Sequence, residues 1–456
     1  MTTLLTWSPT KIKAFRQALL TWYDANRRNL PWRVDHDPYH VMVSELMLQQ
    51  TQVNTVIPYY QRFMAAFPTV AALAAAPESA VLKAWEGLGY YSRARNLHRA
   101  AKQLMADYGG QWPTTAAGLR ELAGIGPYTA GAIASIAFNQ PEPAIDGNAF
   151  RVFARLFCID ADITKPATRQ LFADLIRQLI DPQRPGDFNQ AVMDLGSSYM
   201  RAKDPDAAHS PVAAFDESLR TDTVLAYPVK TKKAKPQVVQ YFALAIHSPA
   251  GWLLEQRPST GLLANLWLMP LVARAAWVKQ PLAEQITLAA AEFSQRAGHT
   301  VTLRAAGLPL VRHTFTHRQW QLTILTAETK AFALDFLPAQ WVPSLSATNL
   351  ALPTVQKKAH PSHPGGASMK TLIIVAHPQL ATSATQQFLQ ASAAPLTNVT
   401  WHALPAHLDL AAEQALLFGA DRIVLQFPLY WYAAPAALKA WLDTVWQAHL
   451  VDAARG

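Results

Sequence analysis

The sequence predicts a chain of three unlike blocks: one mostly α-helical, one α+β and one α/β. Three observations carry this reading. Residues 1–228 place apolar side chains at helical spacing over 11–23, 39–50, 78–84, 93–107 and 148–157, with short turns containing Pro and Gly between them. Residues 237–356 change texture: Val238–Ile246, Trp252–Gln256 and Gln321–Ala327 read as strands around one helical stretch, Pro281–Ala297. Residues 369–456 alternate strand and helix, with strands at Thr371–Ala376, Val399–Ala403 and Arg422–Phe427, the order of a parallel sheet with crossover helices. Lys230–Pro236 and 357–368 read as linkers by composition, and no internal repeat is evident.

With 456 residues, half of them apolar, the chain is long enough for two to four domains with sizeable cores. Its single cysteine, Cys158, excludes an internal disulfide and any site needing two thiolates. Cys158 falls in an apolar helix and reads as a core residue. No apolar N-terminal stretch resembles a signal peptide, and no run of about 18 apolar residues is free of charge or proline. A cytoplasmic protein with no membrane association is expected. The net charge of +9 permits a polyanionic partner, and the excess is local: +1 over 1–228, +9 over 229–368 and −1 over 369–456. Part of it is the run Lys230, Lys232, Lys233 and Lys235, which reads equally as a solvated linker or as phosphate contacts.

In the first block the segment Leu122–Ala130 sets two glycines, Gly124 and Gly126, around one apolar residue just before a helix start. Glycine allows close backbone approach, and a helix start presents free N–H groups, so the segment suits a DNA phosphate. A tight helix–helix turn is the plainer alternative. Glu45 lies among apolar helix neighbours, where desolvation raises a carboxyl pKa toward that of a general acid. Read alone, it serves as well as a buried Glu paired to an arginine such as Arg33. Asp146 precedes the apolar helix Ala149–Phe157, where it can act as a helix N-cap or as an anion facing a developing cation.

Taken together and in order, these motifs are those of a known family. Pro31–Arg33, Val43–Thr51, Gly87–Arg93, Gly124–Ala130 and Ala144–Asn148 resemble the adenine DNA glycosylase family of the helix-hairpin-helix superfamily, over residues 5–200 and more weakly over 237–330. The resemblance implies a base-excision repair enzyme acting as a monomer on double-stranded DNA, in the cytoplasm at the nucleoid. Its substrates would be duplexes holding adenine opposite 8-oxoguanine or guanine. It implies that Glu45 protonates N7 of a flipped adenine and then activates or positions water, and that Asp146 stabilises the oxocarbenium-like sugar. Asn148 and Tyr128 would hold Asp146 and the sugar, and Gln50 and Tyr90 would wedge into the base stack. Arg33, Gly124, Gly126 and Thr129 would contact DNA. Strand-cutting relatives carry a lysine where this chain has Tyr128, and tyrosine cannot form their Schiff base, so a monofunctional glycosylase is expected.

The family pattern breaks at its four cysteines. The positions that would ligate a 4Fe-4S cluster are Met200, Ala207, Ser210 and Asp216, so no cluster and no other metal is expected. Residues 200–222 must then hold their shape by packing. In the second block, Gly261–Pro270 and His313–His317 resemble the Nudix-like domain of the same family. Phe315, Thr316 and His317 match its 8-oxoguanine recognition tip, and no acidic metal-binding helix of a pyrophosphatase is present. In the third block, Met369–Pro378 and Gln426–Tyr432 resemble flavodoxin-like NAD(P)H:quinone oxidoreductases. There His377, Ser383 and Pro428–Trp431 would face a flavin. The block ends one helix after its third strand and reads as a truncated fused segment, for which flavin binding is not expected. Two other readings stay open: a catalytically dead mismatch-binding protein, and an oxidoreductase acting through residues 369–456.

Overall fold

The computed structural model describes residues 7–231, 236–333, 338–345, 348–359, 371–377, 379–394, 396, 399–405, 407–420, 422–427 and 435–446. The chain forms two compact units. The first holds residues 1–235 with the short segments 257–267 and 349–353, and the second holds the remainder. The short segments join the first unit through specific bonds. Arg95 donates to Ala264 O at 2.9 Å, Asn265 to Glu78 at 2.6 Å and Lys83 to Leu350 O at 3.2 Å.

The first unit is helical and has two cores. One gathers Trp32, Met42, Met47, Phe63, Trp85, Leu97 and Ile133. The other gathers Phe15, Phe150, Phe153, Phe172, Phe188 and Leu195. The helix Pro38–Leu48 is apolar nearly all round and is buried from Val41 to Met47, the signature of a central helix. The helix Gly147–Phe157 instead carries its apolar side chains on one face, turned into the second core. Five helices (Pro9–Asn26, Pro38–Leu48, Pro127–Phe138, Pro166–Leu179 and Pro185–Ser197) start on proline, whose missing N–H costs nothing in the first turn.

The second unit contains two sheets. The larger is built on a parallel pair, Gln237–Ser248 with Arg318–Glu328, in register from Gln237↔Arg318 to His247↔Glu328. Gly251–Gln256 and Leu271–Ala273 pair antiparallel with the first of these strands, and Val311–Thr314 pairs antiparallel with the second. The helix Leu282–Ala297 buries Ala289 and Phe293 against Phe242, Leu244 and Ile246. The smaller sheet has three described strands, all parallel, with Thr371–Val375 between Val399–Ala403 and Arg422–Gln426. Leu372, Ile374, Leu438 and Trp441 form its core. Buried Glu413 there accepts hydrogen bonds from His402 Nε2 at 2.9 Å and from Trp441 Nε1 at 2.7 Å. Among the described residues no helix is long and apolar enough to cross a membrane.

Several expectations are corrected. The helix read over 39–50 ends at Leu48, leaving Gln49 and Gln50 outside, and Gln50 takes a positive φ of 60°. Lys357 and Lys358, read as linker, belong to the helix Thr354–Ala359. Cys158 is not a core residue: it caps the end of Gly147–Phe157 at φ 49°, half-buried, because the chain must turn there. Lys232, Lys233, Lys235, residues 360–368, Met369, Lys370, Pro378 and Pro428–Trp431 lie outside the described residues.

Candidate active site

A cavity of 760 Å³ in the first unit is lined by residues from both cores, among them Glu45, Tyr128, Asp146 and Asn148. Glu45 comes from the interior of the helix Pro38–Leu48, where backbone N–H groups are committed to the helix itself. The side chain is buried, and its described hydrogen-bond donor is the Tyr128 hydroxyl. Burial pushes its carboxyl up to about 7, the Tyr128 bond works against the shift, and the neighbouring Asp146 adds to it. Tyr128 itself is raised well above the ordinary phenol range, by burial first and then by Glu45.

Asp146 is the N-cap of Gly147–Phe157. Its Oδ1 accepts from Asn148 N at 2.9 Å and Ala149 N at 2.8 Å, and its Oδ2 accepts from Asn148 Nδ2 at 2.7 Å. Burial raises its carboxyl, while these three donors and Arg151 pull the other way. Asn148 is held in turn, because Arg151 Nη2 donates to Asn148 Oδ1 at 2.6 Å and to Gly196 O at 2.7 Å. Gly196 is required here: a Cβ on it would lie 2.6 Å from Asn148 Cβ. Arg151 Nε also donates to Met200 O at 2.6 Å, so the aspartate's support reaches the start of the 200–222 segment.

The hairpin matches its sequence reading in shape. Gly124 has φ +75° and packs on Asn96, Ile125 is buried, and Gly126 precedes the helix Pro127–Phe138 with no side chain capping it. Gln50 and Tyr90 are both exposed and both hold positive φ, 60° and 47°, a costly state for side-chain-bearing residues.

Three residues have partners that the sequence reading did not name. The Tyr128 hydroxyl bonds the Glu45 carboxyl. Thr129 is buried at the cavity wall, with its hydroxyl accepting from Gln49 Nε2 at 3.3 Å. Arg33 lines the cavity, but its guanidinium is engaged by Asp194, at 2.7 Å from Nη1 and 3.1 Å from Nη2. Burial opposes the Arg33 charge, and that carboxylate more than restores it. The alternative Arg33–Glu45 pair is therefore not formed. Sequence reasoning missed Asp194, Arg151 and Gly196. Asp194 and Gly196 stand in a segment that served only for alignment, Ala191–Gly196, and Arg151 lies three residues past Asn148.

The four positions of the missing cysteines do not fit an iron–sulfur cluster. Met200, Ala207, Ser210 and Asp216 offer no thiolate, and all four are buried in protein packing. Met200 and Val212 belong to the second core. Beside them Phe215 meets Trp7 at 5.6 Å and Phe15 at 5.5 Å between ring centres. Asp216 caps a short helix, accepting from Leu219 N at 3.2 Å. In the second unit, Phe315 follows the strand Val311–Thr314. Its ring packs edge-on against Trp320 at 5.1 Å and His313 at 4.7 Å, and Thr316 and His317 are exposed at the turn.

Comparisons with known proteins bear on each block. Residues 43–178 match the HhH-GPD superfamily base excision DNA repair protein model, 241–361 a NUDIX domain and 369–454 a flavodoxin-like fold. The helical unit is thus that of a base-excision DNA glycosylase, an enzyme class that works on DNA. The chain is 36% identical to the adenine DNA glycosylase of Rattus norvegicus, across 76% of this chain and 77% of that protein. It is 35% identical to that of Homo sapiens, across 76% and 73%. A thermostable thymine-DNA glycosylase structure is 25% identical with a TM-score of 0.43, covering 46% of this chain and 98% of that one. The chain belongs to the adenine DNA glycosylase family.

Proposed function

We propose that the chain hydrolyses the N-glycosidic bond of adenine mispaired with 8-oxoguanine or guanine, without cutting the DNA backbone. The observation that carries this is one cavity holding a carboxyl near 7 on Glu45 and a carboxylate cradled by three N–H donors on Asp146. A purine leaves its sugar when the base is protonated and the sugar's developing positive charge is met by an anion. Glu45 delivers its proton to N7, the bond to C1′ breaks with its electrons on the base, and Asp146 faces the oxocarbenium ion. Water then adds to C1′, giving up its proton to the ionised Glu45. No lysine takes the place of Tyr128, so no amine is there to open the sugar.

The hairpin Gly124–Gly126, with the uncapped helix start behind it, suits a DNA phosphate. Gln50 and Tyr90 stand in for the extruded base, and Phe315, Thr316 and His317 read the oxidised guanine. The enzyme works as a monomer in the cytoplasm at the nucleoid, without a cluster, and residues 369–456 add no flavin chemistry. A single-turnover assay on duplexes with adenine opposite 8-oxoguanine, guanine or thymine tests the reading. Adenine release is expected from the first two, fastest from the first. Tight binding with no release from any duplex would make it a mismatch-binding protein only.

A further inference from the structure

Gln50 and Tyr90, both exposed and both in costly backbone conformations, lie on separate loops, and both loops are tied to one side chain. Arg93 sits in the first turn of the helix Ser92–Asp107 and is buried. Its Nη1 donates to Leu46 O at 2.8 Å, Met47 O at 2.8 Å and Gln49 O at 2.5 Å. These are carbonyls at the open end of the helix Pro38–Leu48, which lack intrahelical partners. Its Nη2 donates to Thr51 Oγ1 at 3.3 Å, Leu88 O at 3.3 Å and Gly89 O at 3.1 Å. The guanidinium carbon lies 5.4 Å from the ring centres of both Trp85 and Tyr90. Every hydrogen-bond acceptor it meets among the described residues is a neutral oxygen. A charge buried without a counterion, which burial pulls down to about 10, makes a poor choice for packing alone. The planar fork of arginine, however, can hold several carbonyls in fixed directions at once.

We propose that Arg93 is a positioning residue that locks the loop of Gln50 to the loop of Tyr90, so that both tips enter the base stack at one fixed spacing. It touches neither the reacting base nor the sugar. Its effect is on extrusion, where stacking and pairing must be overcome, and not on bond cleavage. The inference rests on the proposed wedge roles of Gln50 and Tyr90.

The test is Arg93→Lys, which keeps the charge and loses the fork. Single-turnover adenine release is measured on a fully paired duplex with adenine opposite 8-oxoguanine, and on the same pair inside an unpaired bubble, where extrusion costs little. A positioning role gives a rate about tenfold or more lower on the duplex and within about threefold of wild type on the bubble. Equal losses on both substrates, or no loss on the duplex, overturn it. If Arg93→Lys does not fold, Thr51→Val, which removes one of the six acceptors, is read the same way with a smaller duplex-only loss of about threefold. Wild-type protein inactive on both substrates would overturn the proposed function itself, and this inference with it.

Discussion

Glu45 and Asp146 reach one cavity from two different cores, and each core treats its carboxyl group differently. Glu45 projects from the middle of a helix that is apolar all round, and its described hydrogen-bond donor is a tyrosine hydroxyl. Asp146 caps the start of a helix, where backbone N–H groups are free and two of them bond it. Burial raises both, but only at Asp146 do several donors oppose it. Position along a helix thus gives the proposed proton donor and the proposed anion their different surroundings.

Exchanging either environment breaks the contrast. Glu45→Gln keeps the shape and removes the proton, so single-turnover release should fall about a thousandfold or more with duplex binding retained. Asp146→Asn should fall about as far, with loss of the anion as the cause. A fall in rate accompanied by equal loss of binding would show that the carboxyls hold DNA rather than act on it.

The same contrast sets the pH profile. Release should decline above pH about 7 as Glu45 ionises. It should also decline on the acid side, above the ordinary carboxylate range, as Asp146 takes up a proton. Glu45 also links pH to stability. Below pH 4.5 its carboxyl is neutral in both folded and unfolded chains. Between 4.5 and about 7 the unfolded chain ionises first and stability falls, and above about 7 the loss is complete. The full shift amounts to about 3 kcal/mol. Glu45→Gln should therefore be the more stable protein at pH 8, with the advantage fading toward pH 4 in denaturant titrations. A constant difference across that range would mean the buried carboxyl does not keep its proton.

The segment without cysteines gives a smaller effect. Met200→Ala leaves a cavity in the second core and should cost about 2–5 kcal/mol. A modest rate loss should follow, since Arg151 joins Met200 O to Asn148 and Asp146. A chelator should change neither unfolding nor rate. If it lowers stability, packing is not what shapes residues 200–222.

The helices were legible because their cores are regular. Apolar spacing gave Ser92–Asp107 and Gly147–Phe157 within a residue or two, and the strand runs Val238–Ile246 and Gln321–Ala327 fell inside the observed strands. The burial of Glu45 and the helix-capping place of Asp146 were legible from their immediate neighbours, while the roles proposed for them came only from the order of the motifs along the chain. Less visible was anything depending on a partner far along the chain. That Tyr128 bonds Glu45, or that Arg33 bonds Asp194 across 161 positions, has no local signal. Nor has the left-handed backbone at Gln50, where apolar spacing alone would continue the helix. The bonds of Arg93 and Arg151 to main-chain carbonyls were not legible either, since an arginine on an amphipathic helix carries no local sign of the distant oxygens it will meet.

Phe315→Ala tests the second unit. Its ring is braced by Trp320 and His313, so it offers a fixed flat surface at the turn. Removing it should cut the preference for 8-oxoguanine over guanine opposite adenine by about tenfold and leave the adenine–guanine rate unchanged. Equal losses on both pairs would assign Phe315 to general DNA binding.

The smallest effect is expected from removing residues 369–456. Glu413, His402 and Trp441 form a buried polar cluster inside this segment, whose apolar core is its own. Every described residue lining the cavity that holds Glu45 and Asp146 lies between 28 and 197. Among the described residues, none of the segment bonds either carboxyl or is among the charges acting on it. Release from adenine opposite 8-oxoguanine should therefore stay within about twofold of the full chain, with the same pH profile. A large loss of rate at unchanged stability would mean the flavodoxin-like segment serves the glycosylase directly. A loss of stability alone would mean that it is an appended domain on which the rest has come to lean.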